Sequence, residues 1–413
     1  MMLLDGPTLE RIRGSHAGAH WDRIGVRKRT GVYVPLFSLR SDRQVGVGDA
    51  ADLVGLVDWC AAIGLDVIQL LPLNDMGMDS VPYGAVSAFA IDPIYTALDR
   101  LDAVARDPAL GQRVEQAAAE LAGGDRIDWP RVREVKDALL RAAWAASRGP
   151  DTDAALAGFR AANPWLEIYL PYRVRKEQAG WRSWEDWGAD ETPDRALAAL
   201  ERDAPEAIEF TLWCQWVVAT QLRAARDHAA DRGVLIKGDI PILVSRDSAD
   251  VWAHRDLFDL DTSAGAPPDM YAEDGQNWGF PTYRWETHRD TGFRWWRDRL
   301  AVAEGFYDLY RIDHVVGFFR IWTIPAGLET GREGRFIPED EGRWGAHGRE
   351  ILEMMLDASR MLPLAEDLGT IPPICRETLT DLGICGMKVQ RWEKDWHGDG
   401  RFIDPGTWAP LSL

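Results

Sequence analysis

Short β-branched or apolar runs, each bounded by Gly, Pro or Asp, recur along this chain with longer helix-forming stretches between them. Six can be read: GVYVPLFSL at 31–39, VIQLLPL at 67–73, VLIKGDIPI at 234–242, LYRIDHV at 309–315, LPLAEDL at 362–368 and MKVQRW at 387–392. This alternation is the mark of βα units around a parallel sheet, and 413 residues are enough for one large α/β barrel or for two ordinary domains. After the first run, Leu53, Leu56, Val57 and Cys60 recur at helical spacing within 50–63 and the pattern stops at Gly64, so the first crossover helix is predicted there. Between the second and third runs lie about 160 residues rich in Ala, Arg and Glu, too many for a crossover. An inserted, mostly helical subdomain is therefore expected at 95–230. Its last helix would bury the face formed by Ile208, Leu212, Trp216, Ala219 and Leu222. Residues 1–30 read as an N-terminal arm, and 31–413 as the barrel that carries the insertion.

Composition narrows the partners. A net charge of −19 opposes binding to nucleic acid or to anionic membrane surfaces. No window approaches the roughly 18 uncharged apolar residues of a membrane span, and the N-terminus is too weakly apolar for a signal peptide. A cytoplasmic enzyme is expected. The four cysteines have no CxxC pair and no neighbouring His at metal spacing, so they read as buried thiols and no metal site is expected. Twenty tryptophans are an excess; most should be core, but flat indole faces also suit the apolar faces of sugar rings.

In a parallel barrel, residues that do chemistry sit at the C-terminal ends of the strands. Asp239, Asp313 and the pair Glu366 and Asp367 fall there, on three successive strands. Period-two alternation in LYRIDH puts Arg311 and Asp313 on one face, with Tyr310 and Ile312 opposite. A guanidinium beside a carboxylate favours its ionised form, as a nucleophile requires, although spacing alone allows a structural ion pair as well. Glu366 and Asp367 point to opposite faces, and sequence parity does not decide which enters the pocket.

These segments resemble the signature stretches of the amylomaltase, or disproportionating enzyme, family of 4-α-glucanotransferases. The stretches are KGDIPI at 237–242, YRIDH at 310–314 and AEDLG at 365–369, with PYGAVSAFA at 82–90, DSADVWAH at 247–254 and PPDMYAEDGQNWGFPTYRW at 267–285, all in family order. The resemblance implies a (β/α)₈ barrel and a retaining transfer of α-1,4-glucan segments between maltooligosaccharides, without a cofactor. It places the nucleophile on Asp313 and the general acid/base on Glu366. It also implies substrate contacts from Asp239, Arg311, His314, Tyr83 and His254, and from Tyr271 and Trp278 in a lid at 267–285.

The chain departs from the family in two places. Val316 stands where many bacterial members have Arg, and the following GFFRIW, with GQNWGFPTY, is more similar to the plant-type cytosolic disproportionating enzymes. The family's third carboxylate belongs to a His-Asp motif at the end of strand seven, and no such motif precedes Leu413. Strands seven and eight are thus expected to be missing, as in a fragment. An α-glucan hydrolase with the same carboxylates, or an inactive glycan-binding fragment, remains the alternative to a transferase.

Overall fold

The computed structural model describes residues 6–123, 125–188, 191–270, 272–395 and 398–408. The chain divides into two compact units. One comprises Thr30–Leu235 and Val244–Arg255, the other Met1–Arg29, Ile236–Leu243 and Asp256–Leu413.

The first of these is mainly helical. Strands β1 (Gly31–Tyr33) and β2 (Val67–Gln69) pair in parallel, joined by the helix Ala50–Ile63. That helix has the predicted bounds because both of its ends are fixed by local chemistry. Asp49 accepts from the Ala51 and Asp52 amides while the Asp52 side chain accepts from the Asp49 amide, and Gly64 closes the helix at φ 81°. Arg43 lies between Asp49 and Asp52, at 2.5 and 2.8 Å. Beyond β2 come the helices Pro108–Leu121, Trp129–Ser147, Pro150–Ala162, Leu166–Gln178, Pro193–Asp203 and Pro205–Asp231; a proline, whose fixed φ suits the first turn of a helix, opens the first, third, fifth and sixth and stands second in Trp129–Ser147. On Pro205–Asp231 the predicted face is buried at Ile208, Leu212, Ala219 and Leu222, with Trp216 only half-buried.

The second unit carries β3 (Leu235–Ile240) from Ile236 onward, β4 (Leu309–Ile312) and β5 (Leu362–Ala365), paired in parallel with β4 in the middle. The helices Arg294–Ala303 and Trp344–Ala358 precede β4 and β5 in the chain, as βα units require. An antiparallel sheet of Arg335–Ile337, Ile321–Pro325, Thr262–Ala266 and Gln276–Asn277 supports the stretch predicted as a lid.

Among the described residues five parallel strands are present, each shorter than its sequence run. The sixth run, 387–392, forms no ladder. Just before it Cys385 makes a parallel bridge to Leu364, after which the Met387 amide donates to the Asp367 carboxylate at 2.7 Å and Trp392 closes a turn onto Val389. An amide captured by a side chain is lost to a ladder. All four cysteines are free and buried, and among the described residues no helix is long and apolar enough to cross a membrane.

Asp49 both caps a helix and pairs with Arg43, so Asp49→Ala should cost about 2 kcal/mol or more. Asp49→Ser, which keeps the cap, should cost less. Urea unfolding of both variants measures the difference.

Candidate active site

The register of the parallel strands brings the candidate carboxylates together. Asp239 on β3 and Leu364 on β5 both lie opposite Arg311 on β4, so their side chains share its face of the sheet. Two residues beyond Leu364, Glu366 continues on that face and Asp367 on the other. Hydrogen bonds extend the strand pairing past the formal strand ends, from the Glu366 amide to the Ile312 carbonyl at 2.9 Å and from the Asp313 amide to the Ile240 carbonyl at 3.3 Å.

Arg311 is the hub. Its Nη1 donates to both oxygens of Asp239, at 2.9 and 3.0 Å, and its Nη2 lies 2.7 Å from Asp313 Oδ1 and 3.8 Å from Glu366 Oε2. Asp239 is fully buried, while a quarter of the Asp313 side chain is open to solvent. Since one nitrogen serves both, the Asp313 and Glu366 oxygens are separated by no more than the sum of 2.7 and 3.8 Å. That limit is the lower edge of the roughly 6.5–9.5 Å at which an inverting pair makes room for water.

Glu366 accepts from the His314 amide at 2.8 Å on Oε2 and from the Leu368 amide at 3.2 Å on Oε1. Its carboxyl is nevertheless held above the ordinary glutamate range. Burial is the main cause and the charge of Asp313 adds to it, outweighing the two amides and Arg311, which favour the anion. The site therefore holds one carboxyl biased toward the acid next to one in contact with a cation. That division of roles is what acid-assisted displacement at an acetal carbon needs.

His314 follows Asp313 in the left-handed conformation, φ 47° and ψ 53°. Burial lowers its imidazole to about 4, with Arg311 and Arg320 lowering it further against the pull of Asp313, so it is neutral at pH 7. Trp278, half-buried in the lid stretch, packs edge-to-face on the His314 ring with centroids 5.0 Å apart, and its indole N–H donates to Gln276 at 2.9 Å. Asn277 ties this stretch to the supporting sheet, accepting from Ser263 at 2.7 Å and donating to the Leu328 carbonyl at 2.6 Å.

Tyr83, in the turn Pro82–Gly84, and His254, just after the helix Ala249–Ala253, belong to the other compact unit. Tyr271 lies outside the described residues. Asp367 faces away from Arg311, accepting from the Met387 amide at 2.7 Å and from Arg376 at 3.1 Å.

A model of the family described as 4-alpha-glucanotransferase, of glycoside hydrolase class 77, matches residues 34–413. The 4-alpha-glucanotransferase of Chlamydia caviae is 36% identical over 408 residues, covering 98% of this chain and 76% of that protein. The chain belongs to the 4-alpha-glucanotransferase family. The rice 4-alpha-glucanotransferase DPE2 is 36% identical over 323 residues, 75% of this chain and 34% of that protein, in keeping with the plant-type features around GFFRIW. Among solved structures, the amylomaltase of Streptococcus agalactiae in complex with acarbose superposes with a TM-score of 0.80 at 27% identity, over 94% of this chain and 78% of that one. Family membership thus fixes an α/β fold like that of amylomaltases and an enzyme of the glucan-transferring type.

Sequence reasoning passed over Lys237. Two residues before Asp239, it shares that residue's face of β3, and parity could have found it. It is only 5% exposed. Burial depresses its ammonium to about 8, with Arg311 lowering it further and Asp239 opposing both. The folded pKa lies below that of the unfolded lysine, so the buried charge destabilises the fold most below pH 8, and this penalty fades as the pH rises from 8 toward 10.5. Lys237→Met should then stabilise the protein by roughly 3 kcal/mol at pH 7. Thermal unfolding at a series of pH values should show the gain shrinking across the alkaline range.

Proposed function

We propose that this chain transfers α-1,4-linked glucan segments or glucosyl units between maltooligosaccharides by a retaining double displacement, with Asp313 as nucleophile and Glu366 as general acid/base. The observation that carries the reading is the shared contact of both carboxylates with Arg311 Nη2, at 2.7 and 3.8 Å. So short a span leaves little room for a water between them and favours direct attack by the carboxylate.

In the first half, an Asp313 oxygen attacks the anomeric carbon, the bond to the leaving sugar breaks, and the Glu366 proton passes to the departing 4-oxygen. A glycosyl ester on Asp313 results. In the second half, Glu366, now an anion, takes the proton from the 4-hydroxyl of an incoming sugar, whose oxygen attacks the anomeric carbon and frees Asp313. Two inversions restore the α configuration. All electrons and protons are accounted for by two carboxyls and two hydroxyl groups, so the reaction draws on no cofactor.

The remaining roles follow the resemblance. Asp239, held rigid by two bonds from Arg311, is suited to accept hydrogen bonds from sugar hydroxyls. The resemblance also assigns substrate contacts to His314 and Trp278, to Tyr271, and to Tyr83 and His254. Five parallel strands with intervening helices fit a (β/α)₈ barrel that carries an insertion at 95–230. An acarbose complex of the streptococcal amylomaltase fits an α-glucan substrate.

Incubation with maltotriose should yield glucose together with a ladder of longer oligomers, read by chromatography. New reducing ends without lengthened products would point to hydrolysis instead. Asp313→Asn and Glu366→Gln in the intact protein should each lower turnover by on the order of 10³-fold or more. Asp367→Asn should act on the melting temperature more than on turnover, because Asp367 holds the Met387 amide and Arg376. Equal loss of turnover at Glu366 and Asp367 would reverse the choice between the two carboxylates.

A further inference from the structure

Among the described residues, only Trp181, Phe293 and His314 combine a positive φ with a side chain larger than glycine's. This conformation is sterically unfavourable for a residue with a Cβ and persists only where its surroundings impose it. At His314 the surroundings are those of the reacting carboxyl. In an extended strand successive amides point to opposite edges, so a chain continuing straight from Asp313 could not offer two neighbouring N–H groups to one residue. The left-handed turn does so. The His314 amide reaches Glu366 Oε2 at 2.8 Å, and the next amide, that of Val315, reaches the Glu366 backbone carbonyl at 3.1 Å.

The side chain of His314 is fitted to hold the turn. Trp278 packs against the ring from one direction. At Gly317, three residues on, an added Cβ would come within 3.1 Å of His314 Cδ2, so the glycine leaves space that the imidazole uses. The two oxygens of Glu366 are then unequal. Oε2 takes the shorter amide bond and faces Arg311, while among the described residues Oε1 has only the 3.2 Å contact with the Leu368 amide.

We infer that His314 is a positioning residue for the acid/base: its left-handed backbone aims an N–H at Glu366 Oε2, keeps that oxygen unprotonated, and leaves Oε1 to carry the proton exchanged with the sugar. The inference rests on the assignment of Glu366 as general acid/base. An N–H donated to Oε2 stabilises the anion, so removing it raises the pH at which Glu366 loses its proton. The other groups facing Glu366 are Arg311 and Asp313 from β4 and its end, with Asp239 and Lys237 behind them on β3; all are unchanged by substitution at 314.

The test is a graded series in the intact protein, His314→Gly, His314→Asn, His314→Ala and His314→Val, in order of decreasing tolerance for the left-handed conformation. The dependence of kcat/KM on pH, with maltotriose as substrate, locates the alkaline limb where the free enzyme loses its acid. The limb should stay near its wild-type position for Gly and Asn and rise by on the order of one pH unit for Ala and Val. Every variant lacks the imidazole, so a ring contact with sugar affects KM throughout the series without ordering the limb, and Lys237 titrates alike in all four. A limb that moves equally in Gly and Ala, or in none of the variants, would overturn the inference, and the Gly, Asn and Ala variants suffice if the Val variant does not fold. Retained turnover in Glu366→Gln would strike the acid/base assignment itself and is read separately.

Discussion

The guanidinium of Arg311 is the group on which the geometry of the site depends. Three carboxylates reach it from the ends of three strands, and without a central cation such a cluster would repel itself apart in a medium that screens charge poorly. A planar fork suits this task better than a point charge. Nη1 is committed to Asp239, and Nη2 is shared between Asp313 and Glu366 at unequal distances. The inequality matters chemically. Asp313, in direct contact, has its negative charge offset, whereas Glu366, a further ångström away and buried, is left with a bias toward its protonated form.

That arrangement is only as precise as the strands beneath it. Gly238 shows how tightly β3 is held, since a Cβ there would lie 2.4 Å from the Tyr307 ring. With no side chain on that face the strand can sit against the aromatic, and Lys237 and Asp239 on either side of the glycine are both directed to the opposite face. Lys237 contributes a second positive charge on the face that carries the carboxylates, at a cost in desolvation that its depressed pKa records. A buried ammonium is a poor choice for stability, and the neighbouring Asp239 is the main charge that offsets its cost.

Much of this was legible in the sequence because it depends on local periodicity. The helix Ala50–Ile63 has start and stop signals in its own residues, and the 3.6-residue pattern of Pro205–Asp231 identified its buried face at every position but Trp216. The face shared by Arg311 and Asp313 follows from alternation within one strand. Strand lengths were overestimated, since an apolar run looks the same whether its amides enter a ladder, as at Val67–Gln69, or a 3₁₀ turn, as at Leu36–Ser38. The choice between Glu366 and Asp367 could not be read from one strand at all. It turns on the register of β5 against β4, a relation between segments about fifty residues apart for which sequence offers no local signal. Nor was the conformation of His314 visible, because histidine is compatible with either sign of φ and the reason for the turn lies in Glu366, on another strand.

The pair Glu366 and Asp367 also shows why adjacent carboxylates need not share a function. Consecutive residues at the end of a strand point to opposite faces, so the same backbone that delivers Glu366 to Arg311 delivers Asp367 to Arg376 and the Met387 amide. One carboxylate joins the cluster on Arg311 and the other fixes the segment that follows, and each constrains its neighbour through a single peptide unit. Any movement of the Asp367 anchor would rotate Glu366 relative to the His314 and Leu368 amides, whose bonds of 2.8 and 3.2 Å leave little tolerance. The stability of this strand end and the placement of the acid are therefore one physical problem, met by two side chains one residue apart.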